Sequence, residues 1–183
     1  MIILGLNCQG MQKPSAVRSL LGLRERLKPD VLFLSEANLS KVKAERLKLR
    51  LNFDEMAMAE SDGRSGGLVL FWNKDIIVTS KEINPNFIDL RINEHSEAGW
   101  RLTRFYGEPS GSRKHLSWQY IRNLHVGFDL PWVMLGDFNE ILYSTEKEGG
   151  NVRPFRCMQA FREVLNDCNL EDMGYSGDIF TWR

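Results

Sequence analysis

A carboxylate and a carboxamide follow directly on an apolar run in the segment Gly136–Glu140 (GDFNE), which comes after Pro131–Leu135. A short strand that ends in this way delivers both groups to the carboxyl edge of a sheet, where open α/β folds place their ligands. Residues two apart in an extended chain share a face, so Asp137 and Asn139 are predicted to reach one bound group while Phe138 faces the core. Asp can accept a proton or hold a metal, and Asn can donate to a phosphate oxygen. A simple Asp–Asn turn is the alternative interpretation.

Other apolar runs in the chain also end in polar side chains. Residues 2–6 lead into Asn7, residues 31–34 lead into Ser35 and Glu36, and residues 100–105 lead into Tyr106. With the GDFNE segment, four predicted strand ends carry Asn, Glu, Tyr and Asp-x-Asn in that order. One such end would be weak evidence for a site, whereas the ordered set predicts a shared one. We expect all of these side chains to meet at one rim of a two-sheet structure.

This ordered set resembles the endonuclease/exonuclease/phosphatase family of metal-dependent phosphodiesterases, which includes the abasic-site endonucleases. The likeness is closest to the endonuclease domain of plant LINE-type non-LTR retrotransposons. It rests on the segments LNCQG, LSEAN, SGGLVLFW, RLTRFYGEP, WVMLGDFNE and GYSGDIFTW. The resemblance runs from Met1 to Arg183 and implies an Mg²⁺-dependent or Mn²⁺-dependent endonuclease that nicks DNA.

The resemblance also implies a role for each strand-end residue. Glu36 would be the principal ligand of the divalent cation, and Asn7 would help to position that site. Tyr106 would donate its hydroxyl to the scissile phosphate. Asp137 would orient or deprotonate the attacking water, and Asn139 would stabilise the charge that develops on phosphorus. This in-line displacement depends on positioning and charge neutralisation more than on covalent catalysis.

One family feature has no counterpart in the sequence. The family closes its domain with a Ser-Asp-His segment, whereas the histidines here are His95, His115 and His125, all upstream of Asp137. We therefore expect the single domain 1–183 to be incomplete at its C-terminus, without its last strands, and to be weakly active or inactive. The alternative function is a catalytically inactive retroelement-derived fragment or a DNA-binding remnant.

Hydrophobic periodicity and turn residues predict an α/β (α+β) chain. The expected fold is a two-sheet β-sandwich of mixed strands flanked by helices, as in the endonuclease/exonuclease/phosphatase fold. A helix capped by Ser15 is expected before Lys28. Further helices are predicted at 41–51, 114–124 and 155–168, and further strands at 55–59, 67–72, 76–81 and 87–92. The chain has 183 residues, of which 43% are hydrophobic, which suits one domain.

The charges balance, with 24 basic and 24 acidic residues, so nothing attracts the whole chain to nucleic acid. DNA remains the expected substrate because the motifs resemble those of a retroelement endonuclease. The balanced charge does not exclude an enzyme, since a local basic rim around an acidic metal site can be sufficient. Arg113 and Lys114 follow the Tyr106 segment and are the predicted contacts to the DNA backbone. The basic cluster at 41–50 is interpreted as a solvated helix face, with a phosphate-contacting flank as the alternative.

Three scattered cysteines without a Cys-x-x-Cys pair are typical of reduced thiols in an intracellular protein. The chain has no signal peptide pattern and no apolar stretch of membrane-spanning length. We expect a soluble intracellular monomer, with the nucleus as a possible location, no membrane contact, and fusion to a reverse transcriptase in the intact element.

A rival enzyme class is suggested by residues 63–67, which match the Gly-x-Ser-x-Gly elbow of serine hydrolases around Ser65. That elbow requires a strand before the serine and a helix after it, whereas here a turn precedes and a strand follows. A hairpin turn is therefore the preferred interpretation, and the serine hydrolase is a remote alternative.

Overall fold

The computed structural model describes residues 1–60, 67–127 and 129–177. The chain divides into two compact units. Unit 1 consists of Met1–Tyr106 and Leu130–Gly136, and unit 2 consists of Gly107–Asp129 and Asp137–Arg183. The expectation of a single, C-terminally incomplete domain stays a prediction. Ser65 lies outside the described residues, as does most of the elbow segment around it.

The described residues of unit 1 form two sheets of four strands. The strands are β1 (Ile3–Asn7), β2 (Val31–Ser35), β3 (Glu55–Ala59), β4 (Leu68–Trp72), β5 (Val78–Asn84), β6 (Phe87–Ile92), β7 (Trp100–Tyr106) and β8 (Trp132–Asp137). The first sheet has the order β1-β2-β4-β3 and the second has the order β5-β6-β7-β8. The last residue of β8 belongs to unit 2. Strands β1 and β2 run parallel, while β2 pairs antiparallel with β4.

The two central strands of the first sheet are buried on both faces, which explains the continuous apolar runs of β2 and β4. Alternate residues such as Phe33 and Leu70 face the second sheet, where they pack with Ile88 and Leu102. The remaining residues pack under two helices, α1 (Pro14–Leu27) and α2 (Lys41–Arg50). All five residues of β2 and all five of β4 are buried. This arrangement confirms the predicted sandwich of mixed strands with helices outside it.

Two predicted boundaries shift for local reasons. Helix α1 begins at Pro14 with Lys13 as its N-cap, so Ser15 lies inside the helix and not at its cap. Proline suits the first helical position because its fixed φ is already helical and its missing N–H is not needed there. Strand β5 begins at Val78, two residues later than predicted, because Ile76 N–H closes a turn on the Asn73 carbonyl.

Unit 2 contains the helices α3 (Lys114–His125) and α4 (Phe155–Asp167), with short 3₁₀ turns at Gly111–Arg113 and Ser144–Glu146. The two helices pack through aromatic rings. Trp118 stacks on Phe161 with ring centroids 4.9 Å apart, and Phe138 contacts the same ring at 5.2 Å. Phe138 is half-buried and packs on Phe161 within this unit.

None of the helices formed by residues 1–60, 67–127 and 129–177 is both long enough and apolar enough to cross a lipid bilayer.

Candidate functional site

Glu36 follows the last residue of β2 in a strained backbone conformation. Its φ is 51°, in the left-handed region that residues other than glycine adopt rarely. The conformation is held by hydrogen bonds that extend the pairing of β1 and β2 beyond both strands. Cys8 N–H donates to Ser35 O at 3.0 Å, and Gly10 N–H donates to Glu36 O at 2.7 Å. Strain that the surroundings enforce in this way is typical of functional positions.

The Glu36 carboxylate receives two hydrogen bonds on one oxygen. Asn7 Nδ2 donates to Oε1 at 3.1 Å, and the Tyr106 hydroxyl donates to the same atom at 3.0 Å. The parallel register places Asn7 beside Ser35, which brings its amide next to Glu36. The hydrogen bonds of the described residues leave Oε2 open. Unit 1 thus brings together Asn7, Glu36 and Tyr106, three of the residues singled out from the sequence.

The buried side chain of Arg104 contacts two residues of β2 near the end of that strand. The Arg104 guanidinium lies 3.4 Å from the centroid of the Phe33 ring and donates to Ser35 Oγ at 3.1 Å. Arg104 is only 4% exposed, so its charge lies inside the sandwich directly before the Glu36 position. Nothing in the sequence marked this arginine as part of a site, because its partners come from another sheet.

The Cys8 thiol, beside Asn7, is held in its neutral form. Burial raises the pKa of Cys8 from 9.0 to about 11; the Arg104 guanidinium lowers it and the Glu36 carboxylate raises it by smaller amounts. A pKa raised by two units leaves about 100-fold less thiolate at any pH well below 9. The thiol at this position is therefore a poor nucleophile and a poor metal ligand at neutral pH.

We expect Cys8 in the folded chain to react with iodoacetamide at pH 8 about 100-fold more slowly than Cys8 in the urea-unfolded chain. Its rate should continue to rise with pH up to about 11. Peptide mapping by mass spectrometry gives the rate, with Cys157 in the same digest as the control. Equal folded and unfolded rates at Cys8 would contradict the buried, neutral thiol.

Unit 2 holds the two residues of the GDFNE segment in a turn. Strand β8 ends at Asp137, and Asn139 has a φ of 52°. The segment from Asp137 to Asn139 is therefore not extended, in contrast to the prediction that placed both side chains on one face of a strand. Asn139 N–H donates to Asp137 Oδ1 at 2.9 Å, and Asn139 Nδ2 donates to Gly107 O at 2.8 Å. The Asp–Asn turn that stood as the alternative interpretation is therefore present. The turn fixes the carboxylate of Asp137 relative to the amide of Asn139.

Two glycines of the motifs allow backbones to approach closely. A Cβ placed on Gly136 would lie 1.8 Å from Phe105 O, and one on Gly107 would lie 2.1 Å from Phe138 O. Both distances are too short for any side chain, so only glycine fits at either position. The sequence shows these glycines but not the backbone that approaches them.

Arg113 and Lys114, the predicted DNA contacts, have different surroundings. The Arg113 side chain is 39% exposed and donates to Glu108 Oε1 at 2.9 Å. Lys114 is only 6% exposed, and its ammonium donates to main-chain carbonyl groups. Glu140, to which the sequence assigned no role, is bound through both carboxylate oxygens by Arg153, and its side chain is fully buried.

The residues around Glu36 fit a hard divalent cation that retains most of its own water. Mg²⁺ takes oxygen ligands and is commonly bound by one or two carboxylates, and Glu36 presents one open carboxylate oxygen. Asn7 directs its nitrogen to Glu36 and its oxygen to Gln9 N–H, which suits a positioning role. Among the described residues, no group of three or more His, Cys, Asp or Glu side chains forms a closed metal site. The predicted convergence of all five strand-end residues stays a prediction.

The fold is found in several solved structures. An AP endonuclease from Archaeoglobus fulgidus aligns with a TM-score of 0.70 and 16% identity, over 91% of this chain and 70% of that one. D. rerio TDP2, complexed with a single-strand DNA product, aligns with a TM-score of 0.58 and 17% identity, over 76% and 60%. The catalytic domain of human Nocturnin, with a bound sulfate anion, aligns with a TM-score of 0.54 and 16% identity, over 75% and 64%.

The chain thus spans less than two thirds of the TDP2 and Nocturnin chains. No curated protein matches the sequence. The family comparison matches residues 4–182 to a single family. Because that match covers nearly the whole chain, the chain belongs to the Endonuclease/Exonuclease/phosphatase family.

Proposed function

We propose that the chain is a divalent-cation-dependent phosphodiesterase that nicks DNA, of the type found in the endonuclease domain of plant LINE-type retroelements. The observation that carries the proposal is the Glu36 carboxylate, held at the end of β2 by Asn7 and Tyr106 with one oxygen open. Family membership supports the reaction class. The retroelement origin rests on the motifs of the sequence.

Glu36 would hold the cation, Mg²⁺ or Mn²⁺, through its negative charge. Asn7 and Tyr106 orient the carboxylate by donating to the same oxygen. A cation bound there would supply positive charge against the charge that develops on the phosphate. The Tyr106 hydroxyl, which donates to Glu36, is assigned to an oxygen of the scissile phosphate, the role that the family resemblance implies for it.

Asp137 and Asn139 are assigned to the attacking water and to the phosphate oxygens. The Asp137 carboxylate accepts from Asn139 N–H, which holds it in one orientation and leaves it able to accept a proton. The Asn139 side-chain nitrogen is engaged by Gly107 O, so a second donor proton of that nitrogen would have to serve the phosphate. Arg113, with a partly exposed guanidinium, is the assigned contact to the DNA backbone.

DNA is the proposed substrate because the motifs are those of a retroelement endonuclease and because the D. rerio TDP2 structure contains a single-strand DNA product. Supercoiled plasmid incubated with Mg²⁺ tests the proposal, since one cut converts it to the relaxed circle. Nicking that EDTA abolishes is expected. DNA binding in a gel shift without any nicking would instead favour the inactive, DNA-binding remnant.

Mg²⁺ should stabilise the folded chain by mass action. At free Mg²⁺ ten times its dissociation constant we expect about 1.4 kcal/mol of added stability, which for a chain of this size raises Tm by about 3–6 °C. Thermal melts with and without Mg²⁺ on the parent and on Glu36→Gln measure the effect, and the variant should show no shift. An identical Mg²⁺ shift in both proteins would mean that the cation binds elsewhere.

A further inference from the structure

Lys114, the first residue of α3, is a buried lysine. It is 6% exposed, and its ammonium donates to Glu108 O at 2.5 Å, to Asn139 O at 2.6 Å and to Phe138 O at 3.5 Å. An ammonium has three N–H donors, so these three carbonyls account for all of them. No donor remains for a phosphate of DNA.

The three carbonyls belong to two segments that approach each other closely. Gly107 N–H donates to Asp137 O at 2.8 Å, and Asn139 Nδ2 donates back to Gly107 O at 2.8 Å. The carbonyl oxygens of Glu108, Phe138 and Asn139 therefore converge on one point, where their partial negative charges would repel one another. The Lys114 ammonium lies at that point and neutralises the repulsion.

The same bonds connect Lys114 to the chemistry of the GDFNE turn. Lys114 fixes the Asn139 carbonyl, while the N–H of the same residue donates to the Asp137 carboxylate. A change in the Asn139 backbone would therefore move both groups assigned to the reaction. Asn139 has a left-handed φ of 52°, a conformation that asparagine adopts more readily than most residues but that its hydrogen bonds to neighbouring groups still select.

The charges around Lys114 are consistent with a fixed internal cation. Burial lowers its pKa from the usual 10.5; the carboxylates of Glu140, Asp137 and Glu108 oppose this shift, and the Arg153 guanidinium adds to it. Ser117 Oγ also accepts from Glu108 N–H at 2.7 Å, so α3 fixes this segment through two side chains.

We propose that Lys114 is a positioning residue, whose ammonium links the Gly107–Glu108 segment to the Phe138–Asn139 turn and thereby orients Asp137 and Asn139. The catalytic part of this inference rests on the proposed phosphodiesterase activity. The structural part does not, because it concerns the two segments alone.

The test compares Lys114→Met, which keeps the length and removes the charge, with Lys147→Met. Lys147 is an exposed lysine of the same unit whose ammonium donates to a single carbonyl, Asn151 O. We expect Lys114→Met to lower kcat for plasmid nicking about 10²-fold with KM and the salt dependence of DNA binding unchanged. Lys147→Met should keep kcat. The salt dependence is the slope of the logarithm of the DNA-binding constant against the logarithm of the salt concentration. If Lys114→Met lowers the magnitude of that slope by about 1 and leaves kcat intact, Lys114 is a phosphate contact and the proposal is overturned.

Amide hydrogen exchange separates this inference from the proposed activity. In Lys114→Met the amides of Gly107 and Asn139 should exchange at least about tenfold faster, while those of α4 keep the parental rate. The readout applies even if the parent chain does not nick DNA, a result that would count against the proposed function alone. Lys114→Arg keeps the charge but has a planar head group. Its Gly107 and Asn139 amides should exchange at rates between those of the parent and of Lys114→Met, and it replaces Lys114→Met in the test if that variant does not fold. Parental exchange at both amides in the folded variants would overturn the proposal.

Discussion

Glu36→Gln should reduce Mg²⁺-dependent nicking of plasmid DNA by at least about 10³-fold, if a bound cation contributes about 4 kcal/mol to the reaction. Glutamine keeps the shape of the side chain, and its carbonyl can still accept from Asn7 and Tyr106, so only the charge is lost. Because the hydrogen bonds to Oε1 remain possible, the variant should fold. Initial nicking rates at saturating Mg²⁺ measure the loss, with a thermal melt as the check on folding.

The control is Glu55→Gln, which removes a carboxylate from an exposed position on β3 of the same sheet. It should nick at the parental rate. Tyr106→Phe provides a graded comparison, since the loss of a group that orients a metal ligand typically costs about 10- to 100-fold in metal affinity or activity. A Glu36→Gln protein that nicks as fast as Glu55→Gln would eliminate Glu36 as the centre of the site.

Gly136→Ala should destabilise the chain by at least about 3 kcal/mol, at the upper end of what overpacking costs. The added Cβ would lie 1.8 Å from Phe105 O and 2.5 Å from an Arg104 guanidinium nitrogen. The carbonyl belongs to β7 and cannot move without breaking the sheet. For a chain of this length the expected loss corresponds to a Tm lower by about 6–12 °C, measured by circular dichroism or calorimetry.

Gly22→Ala is the matched control for this substitution. Gly22 lies on the exposed side of α1, and a Cβ there would meet nothing within 4 Å. Alanine should stabilise the helix by about 0.5–1 kcal/mol because glycine is the more costly residue in a helix interior. A Gly136→Ala chain as stable as the parent would mean that β7 and β8 are not as close as the structure has them.

Position 136 of the GDFNE segment thus requires glycine because any side chain there would clash with the Phe105 carbonyl. The motif by itself does not show this reason. The same holds for Gly107 of the Tyr106 segment, whose Cβ would meet the Phe138 carbonyl. In each case a candidate site residue stands next to a glycine that lets two backbones approach.

The sequence by itself determined the order and type of the elements. Strands β2 and β4 are short, continuous apolar runs, and a run of this length and composition indicates a strand that is buried on both faces. The sequence also identified Asn7, Glu36 and Tyr106 as strand-end residues, because a polar side chain directly after a buried strand is a local signal. In the structure β1 ends at Asn7, β2 ends one residue before Glu36, and β7 ends at Tyr106.

The tertiary structure decided what each polar group bonds to. Lys114 and Arg113 are adjacent in sequence and equally basic, yet one is enclosed by carbonyls and the other is partly exposed. Arg104 became part of the Glu36 surroundings only because its strand packs across from β2. Such outcomes depend on contacts between residues far apart in the chain, whose geometry local periodicity does not contain. Strand ends can therefore be predicted from sequence, whereas the partners of a buried charge are set by the fold.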